Sequence, residues 1–152
     1  MAIFCRPQLR RNKLLFVHLP RLLISLILLL FLWQSVGVGL RWYISGRAPW
    51  TNAYESMVYV GWITVLAGLL FARRSTLTLA LATLMGGVVL FVSNLNWLDP
   101  QITPLVPVLK SYWLMIHVSV ITASYGFFGI GAITGLAALI AIILGRTQRE
   151  PV

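Results

Sequence analysis

The chain has 152 residues, 59% of them hydrophobic and 10% charged, with a mean hydropathy of +0.89. A soluble domain carries about 25% charged and roughly 45–50% apolar residues, so an ordinary soluble globular domain and a disordered chain are both excluded. Twelve Lys/Arg against three Asp/Glu leave a net charge of +9, which in so apolar a chain has to be read by position before it is read as a nucleic-acid footprint.

Four apolar runs follow one another. The first, Leu22 to Leu40, contains no charge, and with Pro20 in its first turn it predicts a helix over about 20–40. The second predicts a helix over about 53–72, with Glu55 at its mouth, and the third over about 75–94. The fourth, over about 112–144, is the longest. A helix needs about 20 apolar residues to cross a hydrocarbon core of about 30 Å. The runs are continuous rather than alternating, so helices and not a barrel satisfy the backbone in lipid. The expected fold is an all-α integral membrane protein: one membrane domain over 1–152, with four transmembrane helices. The basic start followed by an apolar stretch resembles a signal peptide, but the run is too long and no A-x-A site follows, so an uncleaved anchor is expected.

The charges sort by side. Arg6, Arg10, Arg11, Lys13, Arg21, Arg73, Arg74, Arg146 and Arg149 flank one side, and Arg41, Arg47 and Lys110 the other. The richer side is expected to be cytoplasmic. Both termini then lie inside, and the two longer loops, about 41–54 and 94–111, lie outside. Topology explains the +9, and nucleic acid is not an expected partner. Membrane lipid is. The single cysteine, Cys5, cannot make an internal disulfide, and no metal-ligand spacing occurs.

The two outer loops carry Trp42, Trp50, Trp97 and Trp113, counting the last at a helix mouth, with Tyr43, Tyr54 and Tyr112. Such aromatics read either as a headgroup-level belt or as walls for a ligand. Pro49, Pro100, Pro104 and Pro107 argue for ordered loops, because each fixes a backbone angle. In GRAPWTNAYES, residues 46–56, Thr51 or Asn52 can cap the second helix, and Glu55 completes a capping-box spacing. Glu55 reads equally as a polar wall for an external site.

His117 stands near the outer end of the fourth helix. A lone histidine is commonly a packed or capping residue. Ionisable groups in membrane spans are costly and tend to be functional, and imidazole suits haem iron. Trp113 lies one turn before it, and Ser124 and Phe128 continue the same face. Gly131 and Gly135 extend that face as a GxxxG pair, which reads as close packing against another helix. His18, beside Pro20, reads as an interface residue. No nucleophile–base pair or carboxylate pair suggests hydrolysis, so no catalytic residue is assigned.

At these two loops the sequence resembles the cytochrome c assembly family, the CcsA/ResC type of system II cytochrome c biogenesis. The family's G-x-x-P-x-x-N-x-Y-E-S stretch is matched by Gly46, Pro49, Asn52, Tyr54, Glu55 and Ser56. Its L-V-P-x-L-x-S-x-W-L-x-x-H-V-S stretch, followed by S-Y, is matched by Leu105, Val106, Pro107, Leu109, Ser111, Trp113, Leu114, His117, Val118 and Ser119, then Ser124 and Tyr125. The resemblance covers roughly residues 41–130 and is to the front part of the family. The tryptophan-rich WWD segment that follows this histidine in the family does not occur in these residues.

The resemblance implies a multi-pass protein of the bacterial inner (plasma) membrane that binds haem and presents it on the external, periplasmic side. There haem is attached to the CxxCH cysteines of apocytochrome c. It implies that His117 is an axial ligand to a transient b-type haem, the first of two histidines flanking the WWD segment. Trp113, Tyr54 and Trp50 are then candidate pocket walls. It implies a partner subunit of the ResB/CcsB type and a place in a haem-attachment (synthase) complex, without a catalytic constellation in this chain. The alternative is a structural or assembly subunit that binds no haem, or a non-functional fragment of such a protein. A small transporter is disfavoured, because no Asp, Glu, Lys or Arg lies in the middle of a span.

Overall fold

The computed structural model describes residues 6–95, 97–102 and 111–147. They form four helices: α1 (Arg6–Ser45), α2 (Ala53–Phe71), α3 (Thr76–Ser93) and α4 (Tyr112–Thr147). Each contains a stretch long and apolar enough to cross a membrane, and there is no strand among the described residues.

α1 begins well before the expected boundary near residue 20, and Pro20 lies inside it rather than in its first turn. Proline removes one N–H from the helical ladder but supplies the helical φ, and the basic residues before it are good helix formers. The helix therefore continues on its N-terminal side, past the end of the apolar run. At about 1.5 Å per residue, its 40 residues extend about 60 Å. His18 consequently sits far from the loops that close the other end of the bundle.

α2 is the hub. It packs most extensively on α3, then on α4, and touches α1 only lightly. Lipid supplies no hydrophobic drive between helices, so close packing needs small residues. Ala67 and Ala82 meet at the α2–α3 contact, with Ile130 of α4 completing this cluster. Gly126 gives α4 its approach to α2: a Cβ there would lie 2.9 Å from Ile63 Cγ2 and 3.2 Å from the Thr64 backbone nitrogen. Gly131 and Gly135, expected to pack as a pair, face outward instead, and a Cβ on either would meet nothing within 4 Å. The reason is helical phase. Gly126 and Ile130 lie on the face opposite His117, and that face is the one turned to α2 and α3.

The α2–α3 connection is short, as the ARRST segment suggests. Ser75 caps α3 by accepting from the Thr78 N–H at 3.2 Å. The longer connections, α1–α2 and α3–α4, lie together at the opposite end.

Candidate functional site at the loop end of the bundle

The α1–α2 loop is built by its own sequence. Gly46 has φ +62 and donates its N–H to the Trp42 carbonyl at 3.0 Å, ending α1 with a left-handed residue that a side chain would strain. Asn52 caps α2, its side chain accepting from the Glu55 N–H at 2.7 Å. Glu55 reaches back to the Asn52 N–H at 3.3 Å and completes the capping box. Of the two residues able to cap, Asn52 does so and Thr51 supports Glu55.

Glu55 does much more than cap. It is 1% exposed, and a buried carboxylate is costly unless its lone pairs are met. Oε2 accepts from the Thr51 N–H at 3.0 Å and the Thr51 hydroxyl at 2.8 Å. Oε1 accepts from Arg41 Nε at 3.1 Å and faces Arg47 Nη2 at 3.5 Å. Arg47 also donates to the Thr51 hydroxyl. Arg41 in turn donates to the Pro100 carbonyl at 2.7 Å, and its guanidinium stands 5.1 Å from the Tyr54 ring centroid. One carboxylate thus gathers α1, the first loop, α2 and, through Arg41, the second loop.

Trp50 makes the other tie. Its indole N–H donates to the Met115 carbonyl at 3.2 Å, two residues before His117. Ser56 donates to the Trp50 carbonyl at 3.2 Å. Trp50 opens a run of ring contacts through Tyr59 and Trp62 to Phe31, with centroids 4.9, 6.1 and 5.4 Å apart. Its far end is fixed by Trp62, which donates to the Ser35 hydroxyl at 2.7 Å.

His117 lies on the outward face of α4. Trp113, one turn before it, is 77% exposed, and Phe128, on the same face, is 71% exposed; Ser124 between them is half-buried. The structure therefore keeps His117 and Trp113 on one surface, but it does not bring Tyr54 and Trp50 to the same wall. Tyr54 lines a cleft of about 280 Å³ between α1 and α2. Trp50 closes a cavity of about 50 Å³ against Leu114, Met115 and Val118. Tyr125 borders a third space, about 510 Å³, with Trp97, Leu98 and Thr122. His117 lines none of these three. Pro49 is buried beside the α1–α2 cleft. Pro107 lies outside the described residues. No group of three or more His, Cys, Asp or Glu that could hold a metal ion occurs among the described residues. His117 is exposed at this surface with Trp113 one turn before it, and an imidazole is a donor that haem iron accepts.

Arg41, Arg47 and Pro100 were not read as part of any site in the sequence. The available signal was that Glu55 is the only acid near two flanking arginines, in a helix otherwise free of charge.

Fold and loop end together define a multi-pass membrane protein whose two longer loops are locked to one another at one end of the bundle. The sequence matches the family described as cytochrome C assembly protein over residues 50–148, and the chain belongs to that family. It is 51% identical over 123 residues to "Protein NrfI" of Wolinella succinogenes, covering 81% of this chain and 14% of that protein. It is 41% identical over 128 residues to "Cytochrome c biogenesis protein CcsA" of Synechococcus sp. (strain CC9605), covering 80% of this chain and 40% of the relative. The protein of the same name in Guillardia theta is 34% identical over 121 residues, covering 76% of this chain and 39% of the relative. The chain thus spans well under half the length of each of these relatives. Membership of the cytochrome c assembly family and a multi-pass membrane architecture are the conclusions that follow.

Proposed function

We propose that the chain handles haem at the outer face of a bacterial plasma membrane during c-type cytochrome biogenesis, with His117 as one axial ligand. The observation that carries this is the position of His117. It is an exposed imidazole at the loop end of α4 in a chain of the cytochrome c assembly family. The excess of positive charge at the opposite end supports placing the loops outside.

In this reading Trp113 offers a ring beside the iron ligand, and the Trp50 tie to Met115 steadies the turn of α4 from which His117 projects. The Glu55 network holds the two loops together as a platform. Haem supplies the redox-active iron and the vinyl groups that react with thiols. The protein's own contribution is to bind, orient and present. A subunit of the ResB/CcsB type is the partner in this reading, and apocytochrome c the acceptor.

The test is a visible spectrum of the purified chain, with and without His117→Ala. A Soret band that is lost or shifted in the variant is expected. No Soret band in the starting protein, or a band indifferent to the substitution, overturns the assignment of His117. A second reading, an assembly subunit without haem, draws on the way the loop polar groups are consumed in holding the loops together. It predicts a colourless protein that still co-purifies with its membrane partner.

A further inference from the structure

We propose that the space bounded by α2, α3 and α4 at the loop end of the bundle binds a lipid-soluble quinone, with a ring oxygen at the Thr122 hydroxyl. The space, about 510 Å³, has Met57 and Val60 of α2, Val92 of α3 and Leu98 as apolar walls, and Thr122 and Tyr125 of α4 border it. Small-molecule sites run about 300–1,000 Å³ and pair apolar walls with a few polar groups. All three helices are long and apolar enough to cross a membrane, so the molecules that meet this space are those that partition into lipid. His117 does not line it, and a ligand here is independent of the haem reading.

Thr122 is the residue that points to a ligand. A hydroxyl inside a helix commonly donates to a carbonyl one turn back. Thr64, Thr83, Ser93, Ser119, Ser124 and Thr134 all do so, at 2.6–2.8 Å. Thr122 is only 7% exposed, yet its hydroxyl makes no hydrogen bond among the described residues. A buried polar group without a partner is costly, and a ligand in the space that Thr122 borders can supply one.

The lining selects the kind of ligand. None of the described lining residues is charged, and Asp99, beside Leu98 in the chain, is exposed and does not line the space. A neutral ligand fits. A haem would bring two carboxylates, and a phospholipid a phosphate, with no cation to meet them. Trp97 and Tyr125, both exposed at the rim, offer flat rings, and the Met57 thioether suits an aromatic neighbour. The Thr122 and Tyr125 hydroxyls, three residues apart on one face of α4, can each donate or accept. A quinone presents carbonyl oxygens that need donors, and its reduced form presents hydroxyls that need acceptors. Both forms are neutral, so the same pair serves either. An acyl chain would cover the apolar walls and leave Thr122 unmet.

The experiment is native mass spectrometry of the full chain from neutral detergent, with a decyl-substituted benzoquinone, its quinol and a diacylglycerol of similar mass offered at equal concentration. Retention of the quinone and the quinol above the diacylglycerol is expected. Thr122→Val keeps the shape of the side chain and deletes the hydroxyl. It is expected to weaken quinone retention roughly fivefold, the worth of one hydrogen bond. Thermal unfolding without ligand should stay unchanged, because the hydroxyl has no partner to lose. Equal retention of quinone and diacylglycerol, or retention of neither, overturns the proposal without any variant. Undiminished quinone retention in Thr122→Val overturns the placement at Thr122. A lower melting temperature for the ligand-free variant means that the hydroxyl is already bonded within the chain, and it overturns the site on that ground.

Discussion

Arg41 donates to Glu55 at 3.1 Å from one helix to the next, and with another nitrogen of the same guanidinium it holds the Pro100 carbonyl at 2.7 Å. A single pair therefore joins α1 to α2 and the first loop to the second. Because Glu55 is buried, the pair is not a surface ornament. Removing one partner strands the other's charge.

Glu55→Ala is expected to destabilise the fold by about 3–5 kcal/mol, the range for breaking a buried pair from one side. Thermal unfolding in detergent checks this. Arg41→Ala should cost less, because Arg47 still faces Glu55 Oε1, and the double variant should cost clearly less than the sum, because the two residues share one interaction. Additive losses would show that the contact is not energetic.

Asn52→Ala removes the cap of α2 and is expected to cost about 1 kcal/mol, whereas Asn52→Ser should lose little. The pair of variants separates capping from any other role of Asn52, read by the same melting measurement.

Trp50→Phe keeps the ring contacts to Trp42 and Tyr59 but deletes the donor to the Met115 carbonyl. A loss of about 1 kcal/mol is expected. Hydrogen exchange should rise in the first loop and the first turns of α4, while the lower half of α2 stays protected. Uniform protection would mean that the tie does not hold the loop to α4.

Gly126→Ala is expected to destabilise by about 1–3 kcal/mol, because the added methyl meets Ile63 and the Thr64 backbone. Gly131→Ala and Gly135→Ala meet open space and should be neutral or slightly stabilising, by up to about 1 kcal/mol from helix propensity. If the outward glycines serve a partner helix, those two variants will show it in complex recovery and not in the melting of the chain alone.

Several of these relationships were legible in advance. Asn52 and Glu55 announce a capping box because three-residue spacing at a helix start is a local property. Likewise the four helices follow from run length, since a backbone in hydrocarbon has few ways to bond. Gly46 was visible as part of a motif, but its left-handed φ was not. The face of α4 that carries His117, Trp113 and Phe128 was also readable, because helical phase depends on spacing alone. Which way that face points was not. Gly131 and Gly135 looked like the packing pair, and Gly126 packs instead.

The order of residues, by itself, determined four membrane-length helices, the cap of α2 and the composition of the loop end. Those depend on hydropathy, local hydrogen bonding and periodicity, all short-range. Only the tertiary structure decided that Glu55 gathers Arg41 and Arg47, that Arg41 reaches Pro100 fifty-nine positions away, and that His117 turns outward. Such choices follow from which helix faces approach most closely in three dimensions, and small residues far apart in the chain settle that together.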